Sequence, residues 1–550
     1  EQILMRPDTY IGDIISQKES MYVFDDNKGR IVYKQVCIVH GLYKIFDELL
    51  VNARDASERD KHCNVIKVSI DRESGVITVY NNGIGIDVVE HKEHGIYVPE
   101  MIFGNLLTSS NYDDAEYRTT GGRNGLGAKL TNIFSTQFVI QVCDQKRKLL
   151  YYQEFTDNMT NKEEPLITSK NTIKSGYVNI SFIPDFARFG IETLTDDMVA
   201  LFKKRVYDLA GTTSKCKVYY NDEEILCSDF KDYVKYYWFD GMKEDEEEND
   251  ENEPEEVSET QTNQSIEENN EYKLYYDKLA YIDEEKKINA TWHVGIMYAP
   301  ESGGKHISFV NGICTYNGGT HVNYVCDMVL EKLKASILKK HKDLELKAKH
   351  SQDMKNNMIV FVNAVVANPS FTSQSKDTLK SPTKDFAAAL TPIKDKILTD
   401  FAKRGIMNLI SDLIKLKEQQ VLKKTDGKKT ARVKDCPKLE DANKAGTKDS
   451  AKCVLIITEG DSAKGLVMSG RMVTGVDYIG VYPIRGKFKN VRESSTSDLL
   501  KNEEVIALKK IIGLEHGKVY TDVSTLRYGK IVTMCDQDTD GIHIKGLLIN

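Results

Sequence analysis

No stretch of this chain approaches the roughly 20 consecutive apolar residues that a helix needs to cross a bilayer, so no membrane span is expected. Neither end shows the charged and then apolar pattern of a secretory leader. The ten cysteines are scattered without a single Cys-x-x-Cys pair, which leaves neither a zinc spacing nor a disulfide framework. A reducing intracellular compartment is the simplest reading. Large apolar residues are almost missing from 243–271, where 14 acidic residues stand with one lysine. Such a segment cannot offset its ordering entropy and is expected to be a disordered insert. Its charge of −13 exceeds the −8 of the whole chain, so the remainder carries +5 and the acidity says little about what the folded parts bind. At 550 residues the chain is too long for one core, and two to four domains are expected. It begins without Met and stops at Asn550 inside a helical pattern, as a piece of a longer chain would.

What is present is organised around 41–60. Ile45, Phe46, Leu49, Leu50 and Ala53 recur at helical spacing, which predicts an amphipathic helix with a buried side. Glu48, Asn52, Asp55 and Arg59, spaced four, three and four, share another face. A solvated face produces the same stripe. A carboxylate, an amide, a second carboxylate and a guanidinium can also hold a metal, orient a water and grip a phosphate.

Alternation predicts strands over 66–70 and 76–80, the second running into Asn81-Asn82-Gly83-Ile84-Gly85. Leu107 to Tyr112 is a cluster of small donors around Ser109, Ser110 and Asn111. Four glycines in the seven residues 121–127 then open onto a helical run, a loop whose N–H groups can converge on an anion. It is not a P-loop, because Lys129 follows Ala128 and no Ser or Thr follows the lysine. Strands near 138–143, 149–155 and 177–183 and a helix near 195–210 complete an α+β layer ending around Cys227. Beyond the insert, 288–298, 306–314 and 358–366 read as strands, 322–340 as a helix and 384–423 as long helical patterns. Residues 425–452 read as a linker rich in Lys, Gly, Asp and Thr. Three buried strands follow, at 454–458, 478–483 and 531–535. Glu459 ends the first, and Asp536, Asp538 and Asp540 follow the third, where open α/β sheets place their sites. Asp-x-Asp-x-Asp-Gly matches half a calcium loop, but Leu547 occupies the position of its last glutamate. Four carboxylates without His or Cys suit Mg²⁺.

Arg6-Pro7-Asp8-Thr9-Tyr10-Ile11-Gly12, the Glu48/Asn52 helix, Asn81-Asn82-Gly-x-Gly and the 121–129 loop resemble the ATPase domain of eukaryotic-type DNA topoisomerase II. Gln374-Ser375-Lys376, Glu459-Gly-Asp-Ser-Ala, Pro483-Ile-Arg-Gly-Lys and Asp536-x-Asp-x-Asp-Gly follow in that family's order. The resemblance spans the chain apart from the acidic insert. It implies a multidomain fold of α/β and α+β parts. These would be a Bergerat (GHKL) ATPase sandwich over 1–227, a ribosomal-S5-like transducer over 228–424 and the first part of a Rossmann-like TOPRIM domain over 453–550.

The resemblance implies ATP and Mg²⁺ as cofactors, double-stranded DNA as partner, a homodimer and a nuclear location. It makes Glu48 the general base and Lys376 a γ-phosphate contact. The ATP set becomes Asn52, Asn81, Ser109, Ser110, Asn111, Gly122, Arg123, Asn124, Gly125, Leu126, Gly127, Ala128, Lys129, Gln374, Ser375 and Lys376. Asn52 would ligate Mg²⁺ on the triphosphate, and Glu459, Asp536, Asp538 and Asp540 the cleavage metals. Lys339, Lys340, Lys342, Arg485, Lys487 and Asn490 would face DNA. Ser375 stands where the family usually has Thr, and Leu126 where close relatives have an aromatic. The catalytic tyrosine is expected beyond this chain. A bacterial gyrase-type subunit shares both folds, but Asn81-Asn82 and the Pro483–Lys487 context favour the eukaryotic type. A nucleotide-gated clamp without cleavage would not need the acid cluster.

Overall fold

The computed structural model describes all residues except 1, 93, 107–118, 121–124, 214, 238–272, 301, 341–347, 374–375, 404–411, 413–421, 435, 493 and 495. The chain forms two compact units. One comprises Glu1–Lys339 and Leu346–Ile406, the other Lys340–Glu345 and Met407–Asn550. Among the described residues, no helix is long and apolar enough to cross a membrane.

Apart from a two-stranded hairpin, the first unit holds two sheets among the described residues. Its larger one has nine strands among the described residues, and their order differs from their order in the sequence. From one edge it runs Glu223–Glu224, Lys217–Tyr220, Val65–Ile70, Ile77–Gly83, Gly176–Pro184, Ser135–Asp144 and Leu149–Thr156, the last pairing with both Asn161–Lys162 and Leu166–Ser169. Its core is built by helices α1 (His40–Arg59), α2 (Gly127–Ile133) and α3 (Asp196–Thr212). Helix α1 carries the predicted apolar spacing, and 15 of its 20 residues are buried, Glu48 and Asp55 of the polar stripe among them, while Asn52 is half-buried and Arg59 exposed. Phe46 of α1 stacks on Phe202 of α3 with ring centroids 4.2 Å apart, and both rings are fully buried. Each such side chain contributes about 1.5–3 kcal/mol by leaving water. Helix α3 starts where Thr195 accepts a hydrogen bond from the Met198 N–H, with Asp196 and Asp197 in the first turn favouring its dipole. A hairpin of Gln17–Asp25 and Arg30–Ile38, absent from the sequence reading, packs Phe24 on Tyr207 of α3.

The smaller sheet runs Leu274–Asp283, Ile288–Tyr298, Met358–Ala364, His306–Val310, Ile313–Cys314. Here the expected single strand over 306–314 is corrected to a hairpin. Asn311 (φ +50°) and Gly312 (φ +74°) take up left-handed backbone, the chemistry of a two-residue Asn-Gly turn. The expected long helices over 384–423 are corrected over 384–403, while 404–411 and 413–421 lie outside the described residues. Among the described residues, Lys384–Ala387 and Asp395–Ala402 are separate short helices. Pro392 disfavours helical backbone at Thr391, whose hydroxyl instead accepts from the Ala280 N–H at 2.9 Å.

The second unit holds a three-stranded parallel sheet in the order Ile479–Ile484, Val454–Glu459, Lys530–Met534. The expected linker over 425–452 falls within this unit, and its 440–450 end packs against the sheet. Ala442 and Ala445 are buried in its hydrophobic cluster, and Glu440 and Val481 exchange both backbone hydrogen bonds. Asp441 takes the fully buried Arg527 guanidinium, and burying that charge unpaired would be costly.

Gly85 has φ +80°, and a Cβ there would lie 2.0 Å from the Cys143 carbonyl oxygen. Gly95 has a similar φ of +62° with open space around it. Gly85→Ala is therefore expected to destabilise the first unit by about 2–4 kcal/mol and Gly95→Ala by about 1 kcal/mol. Denaturant unfolding of the two variants side by side checks the difference.

Candidate functional site

A cavity of about 420 Å³ lies beside α1, and the whole predicted stripe of Glu48, Asn52, Asp55 and Arg59 faces into it. Asn81, Ile84 and Gly85 supply another wall, residues 125–129 a third, and Lys376 a fourth. Its lining mixes carboxylate, amide, guanidinium and ammonium groups with apolar side chains from Leu49, Ile86, Phe103 and Ile180, as a site for a flat ring plus a charged tail requires.

Helix periodicity presents Glu48 to the cavity, and three groups then fix it. Lys44, one turn earlier, places its ammonium 2.8 Å from Glu48 Oε1, a buried i,i+4 pair. Lys376 lies 3.9 Å from the same oxygen, although more than 300 residues separate the two in sequence. The loop carrying Lys376 is held by Asn317, whose N–H donates to the Asp377 carbonyl at 3.0 Å, and by Leu379, paired with both Phe371 and Gly319. The other Glu48 oxygen faces Gly127, where a Cβ would sit 2.0 Å from Oε2. Only glycine lets this backbone approach the carboxylate so closely.

These neighbours set the charges. Burial works to raise the Glu48 pKa, but Lys44 and Lys376 outweigh it and hold the carboxyl at about 2. Burial likewise opposes the Lys44 charge, and Glu48 and Asp47 overcome it, so that the Lys44 pKa is raised. Lys376 goes the other way: burial, helped by Lys44, pulls it below the usual lysine range despite Glu48. Burial alone brings Lys129 down to about 8, with its ammonium donating to the Gly125 carbonyl at 2.6 Å.

At the far end Asn81 is 9% exposed, its amide donating to the Asn82 carbonyl at 3.1 Å and towards Cys63 Sγ at 3.7 Å. Asp60 holds the turn beside it by accepting from the Ile84 N–H at 2.7 Å. Asn82 also lines the cavity, and its side chain is tied to Asn64. The structure thus brings Glu48, Asn52, Asn81, Gly125, Leu126, Gly127, Ala128, Lys129 and Lys376 around one cavity. Ser109, Ser110, Asn111, Gly122, Arg123, Asn124, Gln374, Ser375 and Lys342 lie outside the described residues. Lys44 was missed in the sequence, though its spacing from Glu48 was the available signal.

In the second unit Glu459 and Asp536–Asp540 stand at the carboxyl ends of neighbouring parallel strands, as expected, and the Asp536 N–H donates to Glu459 Oε2 at 3.2 Å. Asp538 instead caps the helix Thr539–Ile549 by accepting from the Gly541 N–H, and Asp540 pairs with Lys487 at 3.0 Å. Among the described residues, no three acidic, His or Cys side chains are gathered closely enough to enclose an ion. The donor set is all oxygen, which fits Mg²⁺, and the acids are exposed enough to rearrange. Arg485, Lys487 and Asn490 are exposed on the neighbouring loop, and Lys339 is exposed near the end of the helix Thr320–Lys340.

The sequence profile described as histidine kinase-, DNA gyrase B-, and HSP90-like ATPase matches residues 38–148, and that of DNA gyrase B matches 230–430. DNA topoisomerase 2 of Acanthamoeba polyphaga mimivirus is 45% identical over 556 residues, covering 100% of this chain and 40% of that protein. DNA topoisomerase 2 of Saccharomyces cerevisiae is 43% identical, covering 100% of this chain and 37% of its own length. The chain thus spans about two fifths of the length of the curated relatives it matches. The crystal structure of the ATPase region of Saccharomyces cerevisiae topoisomerase II superposes with TM-score 0.62 at 36% identity, over 75% of this chain and 96% of that one. The ATPase and transducer domains of DNA topoisomerase II from Balamuthia mandrillaris give TM-score 0.65 at 36% identity, over 76% and 96%.

The depressed Glu48 pKa carries a stability consequence with a definite sign. Its contribution is fully present above the ordinary value of 4.5 and is lost as the pH falls towards about 2. The depression corresponds to on the order of 3 kcal/mol. Glu48→Gln is expected to destabilise the protein at pH 7 and to lose that penalty between pH 4.5 and 2. Unfolding of variant and parent across that range is the measurement.

Proposed function

The chain belongs to the DNA topoisomerase II family, and from that premise we propose that it is the ATP-hydrolysing gate of a type II topoisomerase. The observation that carries the reading is the meeting of Glu48 and Lys376 in one cavity with Asn52 and Asn81. Asn81 presents an amide at the apolar end, suited to an adenine edge. Residues 122–129, with Ser109, Ser110 and Asn111, wrap ribose and phosphates. Asn52 holds a Mg²⁺, which when bound neutralises charge on the triphosphate. Glu48 orients the attacking water and accepts its proton, while Lys376, with Gln374 and Ser375 beside it, balances charge on the γ-phosphate.

Residues 1–227 are the ATPase domain in this reading, 228–424 the transducer and 453–550 the beginning of TOPRIM. Glu459, Asp536, Asp538 and Asp540 hold the metals for DNA cleavage, with the catalytic tyrosine in a part of the protein not represented here. Lys339, Lys340, Lys342, Arg485, Lys487 and Asn490 lie along duplex DNA. Two copies close on ATP, so that one duplex passes through a transient break in another, and the enzyme works in the nucleus. Lys376 is the link: a γ-phosphate that engages it joins the loop at 371–379 to α1. The free energy for closure is the difference in ATP affinity between open and closed states.

Glu48→Gln is expected to bind ATP nearly as the parent does and to hydrolyse it about 10²–10⁴-fold more slowly. An ATPase rate within about threefold of the parent removes Glu48 as the base. Sedimentation with a non-hydrolysable ATP analogue, with ADP and without nucleotide should show association with the analogue above all. Three coincident profiles at saturating nucleotide would sink the gate and leave only nucleotide binding.

A further inference from the structure

One wall of the cavity carries a thiol that hydrolysis does not use, and a second thiol lies buried behind it. Cys63 lines the cavity four residues after α1 ends, and Cys216 lies four residues after α3 ends. Each precedes a strand, and these strands are parallel neighbours with Lys217 opposite Val65, so both cysteines enter the sheet at the same end. The Cys216 thiol donates to the Cys63 carbonyl at 3.2 Å, which sets its sulfur beside Cys63. Cys63 Sγ is in turn the atom that the Asn81 amide approaches at 3.7 Å. Both cysteines are buried, whereas Cys37 is exposed on the surface.

We propose that Cys63 and Cys216 form an oxidation site, converted to a disulfide by a peroxide entering the nucleotide-free cavity, and that the disulfide weakens nucleotide binding through Asn81. The second half rests on the nucleotide reading of the cavity. Cys63 faces the cavity and is the thiol that the peroxide reaches first, its thiolate fraction being the attacking species. Its sulfur attacks one oxygen of hydrogen peroxide and the O–O bond breaks. A sulfenic acid forms, and hydroxide leaves and takes up the released proton as water. The Cys216 sulfur then attacks the sulfenic sulfur, the S–O bond breaks and a second water departs. Two thiols lose two electrons in all, and one peroxide gains them. A covalent bond is much shorter than a hydrogen-bonded contact, so Cys63 Sγ must turn towards Cys216 and away from Asn81. The amide that reads the base then loses its support. A bound nucleotide covers Cys63 and slows the reaction.

The test treats the whole chain with hydrogen peroxide, with and without a saturating non-hydrolysable ATP analogue, then alkylates free thiols and digests without reduction. Expected is a linked peptide pair carrying Cys63 and Cys216 that forms more slowly with the analogue present. Affinity for a fluorescent ATP analogue should fall roughly two- to fivefold and recover with a thiol reductant. Cys216→Ser, still binding that analogue, should show no peroxide-dependent loss, Cys63→Ser should form no linked pair, and Cys216→Ala serves if the serine variant fails to fold. Oxidation of exposed Cys37 without the linked pair overturns the site, and a linked pair with unchanged affinity overturns the coupling. Reduced protein that binds no analogue defeats the nucleotide reading and the coupling with it. The linked peptide, read without nucleotide, still decides the oxidation site separately.

Discussion

A guanidinium with no exposed surface holds the first unit's two sheets in register. Arg205 of α3 donates through Nε to Asp47 of α1 at 2.6 Å and through Nη2 to the Gly312 carbonyl, in the hairpin of the smaller sheet, at 2.9 Å. Tyr316, just past that hairpin, hydrogen-bonds to Tyr43 of α1, and a Cβ on Gly312 would strike Arg54 of the same helix. Burying such a charge is repaid only while all its partners stay, and losing one partner costs about 3–5 kcal/mol. Asp47 is the residue before Glu48, so the contact that fixes the smaller sheet against α1 also fixes the sheet's loops over the carboxylate. Lys376 reaches the cavity from a loop that follows a strand of this sheet.

The electrostatics of Glu48 follow from that placement. A carboxylate at about 2 is fully ionised at neutral pH but a weak proton acceptor. Two ammonium groups share one of its oxygens, one local and one remote. An anion that draws Lys376 away removes one of these two opposing charges and raises the basicity of Glu48 in the same motion. Lys44, tied by its position in the helix, remains to hold the side chain in place. A fixed partner and a removable one thus have different consequences, although both are lysines at hydrogen-bonding or ion-pair range.

Helix α1 and its polar stripe were legible in the sequence because period and burial coincide there. Most of the strands around the cavity were legible for the same reason, as was the glycine at 127 that approaches the carboxylate. The hairpin at 306–314 was lost by reading an apolar run through Asn311-Gly312, although that pair is itself a turn signal. Residues 425–452 were misread because their average composition is polar, while Ala442, Ala445 and Asp441 do the packing. The Gln17–Ile38 hairpin was missed because its alternation is only half buried. No local pattern carries the meeting of Lys376 with Glu48. It is a tertiary contact, and the family resemblance alone anticipated it.

That long separation also has a meaning in time. A ribosome adding about 5–20 residues per second needs roughly 15–65 seconds to go from Glu48 to Lys376. Throughout that interval the nascent α1 carries its carboxylate with Lys44 as the partner already made, one turn away in the same helix. The i,i+4 pair can therefore satisfy Glu48 during synthesis, before the opposite wall exists. The cavity's charge balance is completed last, by a residue that cannot arrive until both sheets of the first unit have been made.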